Sequence, residues 1–163
     1  MFEIASPIQT VLITARGTAE VFGKELEKDN AMAADWHCPL NMDPELYGIS
    51  IGKQRFSHSL IKKSKVFAIN FMPYELKEKV LLCGRISGKA VDKFEKASLT
   101  KEEADTIDCP IVGECVAFIE CKVIQELDFE DHTFFIGKVM KKRIKSGSKR
   151  LFHLEQDRFT TTA

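Results

Sequence analysis

The stretch "NAMAADW", Asn30 to Trp36, reads as a strand made from undersized side chains. Ala31, Ala33 and Ala34 stand where valine or isoleucine would pack better. Small residues on a strand leave volume for something else: another backbone, a partner chain or a flat ligand. The next residues extend the pattern. "NMDP" (Asn41 to Pro44) is a turn, because proline and the residue before it disfavour helix. "LYGISIG" (Leu46 to Gly52) alternates Tyr47, Ile49 and Ile51 against Leu46, Gly48 and Ser50, the period of a strand with one small-residue face.

Further out, "VLITA" (Val11 to Ala15) is a strand, and "GTAEVFGKELEKDN" is a polar hairpin or a loop insertion. "RFSHSLIKKS" changes period: Phe56, Leu60 and Ile61 share one face of a short helix. "KVFAINF" returns to strand, with Phe67, Ile69 and Phe71 on one face and Ala68 and Asn70 on the other. Pro73 suits the first turn of a helix carrying Leu76, Val80 and Cys83. "SGKAVDKFEKAS" reads as another short helix with Val91 and Phe94 inward, and Thr100 with Glu103 as a capping box opening a small helix. The C-terminal half is β-rich. "CVAFIECKVIQEL" places Ala117, Ile119, Cys121, Val123 and Leu127 on one face, "TFFIGKVMKKRI" pairs back antiparallel, and "RLFHLEQDRFTTT" is a last extended segment. Many strands with short, irregular helices between them predict a mainly β protein: a closed or split antiparallel barrel, not a doubly wound sheet.

The length, 163 residues, fits one domain spanning the chain. Lys plus Arg is 24 and Asp plus Glu is 24, which argues against a nucleic-acid or membrane-surface protein. "MFEIASPIQT" lacks the basic and apolar regions of a signal peptide, and no run is long enough for a membrane helix. The five cysteines contain no CxxC pair, so a reduced, cytoplasmic setting is expected. Cys115 and Cys121 on one strand would stand about 20 Å apart, too far to share a metal ion.

"GRISGKA" (Gly84 to Ala90) resembles a phosphate loop, but its glycines are one residue too close and Ala90 replaces the metal-binding hydroxyl. No GxGxxG is present, so no Rossmann site is expected. A more informative set lies at strand ends: Asn30 to Trp36, Ser50 with Gly52, then Arg55, Ser57 and His58 where a helix begins. A helix N-terminus attracts phosphate, Arg55 adds a fork of donors and Ser57 a hydroxyl. A mononucleotide with a flat ring would fit. So would an ordinary capped surface helix with Arg55 solvated and the alanines facing another strand, and the pattern by itself favours that plainer reading.

Taken together, "NAMAADWHCPLNMDPELYGISIG" and "FSHSLIKKSKVFAINF" resemble the flavin reductase-like, FMN-binding split-barrel family, especially its flavoredoxin branch. The resemblance continues through "SGKAVDKF", "IVGECVAFIECKV", "DHTFFIGKV" and "LFHLEQDRF", from Pro7 to Thr161. It implies a Greek-key split barrel, a homodimer, and FMN held without a covalent link. By matching positions, Asn30, Met32, Ala33, Ala34, Asp35 and Trp36 would line the isoalloxazine. Ser50, Ile51, Gly52, Arg55, Phe56, Ser57 and His58 would hold the ribityl chain and phosphate, with Asn70 and Lys93 nearby. His132 would be the catalytic histidine beside the flavin or its nicotinamide donor, NADH or NADPH.

The implied activity is FMN-dependent oxidoreduction towards a redox partner protein or a small-molecule acceptor. Two other readings stay open: an electron carrier of flavoredoxin type, and a dimeric binding module without cofactor. The chain departs from the family pattern in places. Asp35 replaces the usual serine before the tryptophan, and a carboxylate there would oppose a reduced, anionic flavin unless it points away. Glu155 and Gln156 replace a glycine pair, and the segment after Arg16 is longer than the usual turn.

Overall fold

The computed structural model describes residues 2–162. After a short helix, α1 (Phe2–Ala5), and strand β1 (Ile8–Gln9), the chain enters a long hairpin, β2 (Val11–Val21) and β3 (Lys24–Ala34). Phe22 and Gly23, with φ of 51° and 76°, make its two-residue tip. Positive φ at both tip residues matches the right-handed twist of the paired strands. The polar insertion after Arg16 is therefore hairpin rather than loop.

Strands β4 (His37–Met42) and β5 (Glu45–Gly52) flank the expected turn at Asp43 and Pro44. Helix α2 (Phe56–Ser64) and strand β6 (Val66–Phe71) follow as the periodicity predicts. A 3-10 turn (Tyr74–Leu76) then leads into α3 (Lys77–Arg85), and α4 (Lys93–Lys96) comes next. The remaining strands are β7 (Lys101–Glu103), β8 (Pro110–Val112), β9 (Ala117–Asp128), β10 (His132–Ile144), β11 (Leu151–Glu155) and β12 (Arg158–Thr161).

Seven strands form one antiparallel sheet in the order β3-β2-β6-β9-β10-β5-β4. Strands β3 and β4 stand at its two edges, yet only Asp35 and Trp36 separate them in sequence. A flat sheet of that size would hold its edges roughly 29 Å apart. The link can reach about 11 Å. The sheet must therefore curl until its edges meet, which makes a barrel with a seam at Asp35–Trp36. Ser50 N–H donates to the Trp36 carbonyl at 2.9 Å, which carries the β4–β5 pairing into the link.

Alternate residues of β2 divide between two cores. Val11, Ile13 and Ala15 join Ile49, Ile51, Phe67, Ile69 and Phe135, and α2 adds Leu60 and Ile61. Leu12 joins Ala31, Ala68, Met72, Val80, Cys83, Phe94 and Leu151 under α3, α4 and the C-terminal hairpin. Burial of each Val, Leu, Ile, Phe or Met among them contributes about 1.5–3 kcal/mol, so the inserted helices are fixed to the barrel from both cores.

Four local expectations are corrected. Thr100 to Glu103 does not open a helix: Lys101–Glu103 pairs with β8, Thr100 Oγ1 donates to Glu114 at 2.9 Å, and Glu103 is taken by Arg16 at 2.8 Å. Only Lys93–Lys96 of "SGKAVDKFEKAS" is helical, because Asp92 caps the N–H groups of Phe94 and Glu95 there. A register shift at Ile124 turns Leu127 outward, away from the face that Cys121 and Val123 share. The last segment is a hairpin, β11–β12, turned by Gln156 at φ 51° and joined to β1 in a separate sheet. Gln156 occupies a left-handed conformation in which glycine costs less, which accounts for the glycine expected there.

Candidate functional site: a cleft at the barrel seam

Three connected hollows lie along the seam. The first, about 340 Å³, is lined by Met32 to Trp36 on one side and by Ser50, Gly52, Arg55 and His132 on the other. The second, about 150 Å³, shares Met32 and Arg55 with it and is closed by Asn30, Phe56, Lys93 and the 84–88 segment at the end of α3. The third, about 640 Å³, opens outward from Gly52, Arg55 and His132 past Lys53 and Asp131.

The first hollow explains part of the alanine stretch. Ala33 and Ala34 line it, whereas Ala31 is buried under α3. Ala33 also packs close to Gly84 of α3: a Cβ added at Gly84 would stand 3.2 Å from the Ala33 Cβ. The protein's own helix thus takes some of the volume and leaves the rest open. At the rim, the Trp36 ring lies 4.9 Å from that of His132, tilted by 34°. His132 Nδ1 contacts the Asp131 carboxylate at 2.9 Å, a bond that lowers the Asp131 pKa. Nδ1 therefore donates, and Nε2 is turned towards Gly52, 3.6 Å from where a Cβ would be. Glycine at 52 keeps that approach open.

Positive charge marks the second hollow. Arg55 is the residue before α2, placed by its N–H bond to the Gly52 carbonyl at 2.9 Å. No side chain caps the helix, so its N-terminal dipole faces the hollow uncompensated. Lys93 is 3% exposed, and its Nζ donates to the Cys83 carbonyl at 2.6 Å. Burial, aided by Arg55, pushes its pKa down to about 8. Among the described residues neither Arg55 nor Lys93 has an ion-pair partner. A buried ammonium with no counter-ion costs free energy unless an anion joins it.

Asn30, 1% exposed, supplies a second incomplete group. Its Nδ2 donates to Ser57 Oγ at 2.7 Å, while its Oδ1 is buried without a partner. If the amide were turned over, its nitrogen would be the orphan instead, so one end stays unpaired either way. Gly88 presses on the same group: a Cβ there would lie 2.0 Å from Oδ1.

The sequence-predicted residues divide accordingly. Asn30, Met32, Ala33, Ala34, Asp35, Trp36, Ser50, Gly52, Arg55, Phe56, Lys93 and His132 come together along the cleft. Ile51 does not: strand alternation that turns Ser50 and Gly52 outward sends Ile51 into the core. Ser57 is fully buried and reaches the cleft only by holding Asn30. His58 turns away to donate from Nε2 to Thr133 Oγ1 at 2.8 Å, and Thr133 in turn donates to Asp128 at 2.6 Å. Asn70 lines none of these hollows. Its Nδ2 donates to the Leu12 carbonyl and to Thr14 Oγ1, and its Oδ1 accepts from Val112 N–H, so it ties β6 to β2 and β8.

Sequence reasoning missed Gln54 and the 84–88 segment, the end of α3 and the turn after it. The signal was present in the rejected "GRISGKA". It is not a loop between strand and helix, but its glycines and serine close the cationic hollow from the far side.

A family model described as "Flavin reductase like domain" matches residues 4–162. The chain belongs to the flavin reductase-like family. An uncharacterised protein of Archaeoglobus fulgidus is 38% identical over 140 residues, 86% of this chain and 74% of that protein. A ferric-chelate reductase (NAD(P)H) of the same organism is 25% identical over 117 residues, 71% of this chain and 68% of that one. Among solved structures, an FMN-binding protein from Thermus thermophilus with bound p-hydroxybenzaldehyde superposes with a TM-score of 0.85 at 26% identity, covering 100% of this chain and 90% of that one.

Proposed function

We propose that this member of the flavin reductase-like family binds FMN non-covalently in the seam cleft and acts as an NAD(P)H-dependent oxidoreductase. One observation carries the reading: Arg55 and buried Lys93 converge, without counter-ions, on a hollow continuous with a second one floored by alanines. The cationic hollow suits a phosphate and the alanine-floored one a planar ring. Asn30, whose amide has one orphaned end, lines the cationic hollow, and that end suits a ribityl hydroxyl.

Each residue then has a task. Arg55 and Lys93 neutralise the phosphate, and the uncapped start of α2 adds its dipole. Ser57 holds the Asn30 amide in place. Ala33 and Ala34 admit the ring face, and Trp36 shields its edge from water. The chemistry FMN supplies when bound is two-electron exchange with NADH or NADPH and onward transfer to an acceptor. His132 orients the nicotinamide through its Nε2 side, with Nδ1 held by Asp131. The wide outer hollow beside His132 gives that donor room.

A homodimer belongs to the same reading. It is supported by exposed Met42 and Ile144, 94% and 75% accessible, and by an apolar groove of about 500 Å³ over Phe71, Phe118, Ile119 and Ile144. Light scattering at the dimer mass is the expected result. A cytoplasmic setting belongs to the same reading, and the free state of the described cysteines fits a reducing compartment. No helix of the described residues is long and apolar enough to cross a membrane.

The test is a visible spectrum of protein loaded with FMN, followed by anaerobic NADH or NADPH. Rapid bleaching is expected. Bleaching by a reduced ferredoxin alone would make the protein an electron carrier instead, and a failure to take up FMN would leave a binding module. In His132→Ala, bleaching should slow at least tenfold while FMN affinity changes less than threefold. An unaltered rate would remove His132 from the donor site.

A further inference from the structure

Asp35 is the one acidic residue among those lining the ring hollow. Its carboxylate is held on both oxygens. Thr10 Oγ1 donates to Oδ1 at 2.6 Å, and His153 Nδ1 meets Oδ2 at 2.8 Å. His153 sits on β11, in the C-terminal hairpin and outside the barrel. Its other ring nitrogen, Nε2, is 2.8 Å from the Gln156 carbonyl.

Asp35 Oδ2 and the Gln156 carbonyl, which face the two ring nitrogens, are both acceptors. A carbonyl has no proton to give, so the bond to Gln156 fixes a proton on Nε2. The bond to Asp35 needs a second proton between Nδ1 and Oδ2. Wherever that proton resides, imidazole and carboxylate together carry no net charge. Asp35 and His153 side chains are only 15% and 16% exposed, so water does little to screen them.

No other histidine takes this part. His37 is the nearest alternative, but burial lowers its pKa despite the attraction of Asp35, and its nitrogens are engaged by Tyr47 Oη and the Gln9 carbonyl. The ring of Phe159, 5.2 Å from that of His153, covers the pair on the hairpin side.

We infer that His153 is a charge-compensating positioning residue: through its pair with Asp35 it keeps a carboxylate at the flavin cleft from opposing the reduced flavin. The inference rests on the proposed flavin site. Uptake of two electrons and one proton leaves the flavin ring with one negative charge. An uncompensated Asp35 would repel that charge and leave oxidised FMN, whose ring is neutral, almost unaffected. The seam thereby links the C-terminal hairpin to the redox balance of the site.

The experiment measures the dissociation constants of oxidised FMN and of dithionite-reduced FMN, anaerobically at neutral pH. The readout is their ratio in wild type, His153→Gln, Asp35→Asn and the double variant. His153→Gln uncovers the carboxylate, so its ratio of reduced to oxidised constant should rise about tenfold. For a two-electron couple that is a potential about 30 mV more negative. Asp35→Asn and the double variant have no carboxylate to uncover and should stay within threefold of wild type. A purely structural role would weaken both redox forms alike and would not be rescued by the second substitution. A His153→Gln ratio equal to that of wild type overturns the inference. Nitrogen-15 NMR of the wild-type imidazole gives an independent reading that needs no variant. One proton shared with Asp35 and another on Nε2 are expected, whereas a neutral ring beside an ionised Asp35 overturns it. Absence of oxidised-FMN binding to wild type would instead overturn the proposed function and is seen before any ratio is taken.

Discussion

Lys93 looks like a solvated helix lysine in the sequence, yet it is buried with only a carbonyl for company. Its pKa near 8 makes the phosphate assignment testable by pH. A phosphate beside it raises that pKa, so binding takes up a proton once the free amine predominates. FMN affinity should be full below pH 8 and fall above it, by up to tenfold per pH unit. Lys93→Met should bind more weakly and lose the pH dependence; an unchanged profile in this variant would remove Lys93 from the site. Stability of the ligand-free protein runs the other way. The unfolded lysine titrates near 10.5, so the unfolded chain holds more protons between pH 8 and 10.5, and stability rises over that window. Arg55 is exposed and unpaired, so Arg55→Ala should spare the fold while removing a charge-assisted bond of about 1.5–3 kcal/mol, tenfold or more in FMN affinity. Fluorescence titration with FMN measures both effects. At this level the sequence pointed to Arg55 and His132 by residue type, and both line the cleft. It was read poorly at Ile51, His58 and Asn70, which lie beside true lining residues but face elsewhere. For Ile51 the strand period already held the answer. For Asn70 it did not, because only the folded chain brings Leu12, Thr14 and Val112 to its amide.

Among the elements, the barrel strands and α2 were legible because each buries one face at its own period. Elements defined by distant partners were not. Thr100 and Glu103 carry a sound local capping signal, but Glu114 and Arg16 take their side chains and a strand forms. The 84–88 segment, the end of α3 and the turn after it, is the case that bears on the cleft. Judged against a nucleotide-triphosphate motif it fails, yet it closes the cationic hollow because α3 packs on β3 through Gly84 and Ala33. Gly88→Ala would drive a methyl group into the Asn30 amide. Overpacking of this kind costs about 1–3 kcal/mol. The melting temperature should drop by several degrees and FMN affinity by tenfold or more. Gly147→Ala, which meets nothing within 4 Å, is the control and should change neither. Equal behaviour of the two variants in thermal melts and FMN titrations would dissociate the segment from the site.

The barrel as assembled explains why the cleft lies where it does. A sheet whose two edge strands are consecutive in the chain closes on a link of two residues, and that link is Asp35–Trp36. Closure there is incomplete, because small side chains on β3 face Ser50 and Gly52 across the seam. The barrel supplies the opening, the residue before α2 and the first of α4 supply the cations, and the C-terminal hairpin reaches Asp35 from outside. The measurement that tests this most directly is a paired titration of the purified protein with FMN and with riboflavin, which lacks the phosphate. Saturable binding of FMN at one site per chain is predicted, with riboflavin at least tenfold weaker and the difference reduced in Arg55→Ala. Equal affinity for the two ligands, or no saturable binding of FMN, would contradict a flavin anchored at the seam by Arg55 and Lys93.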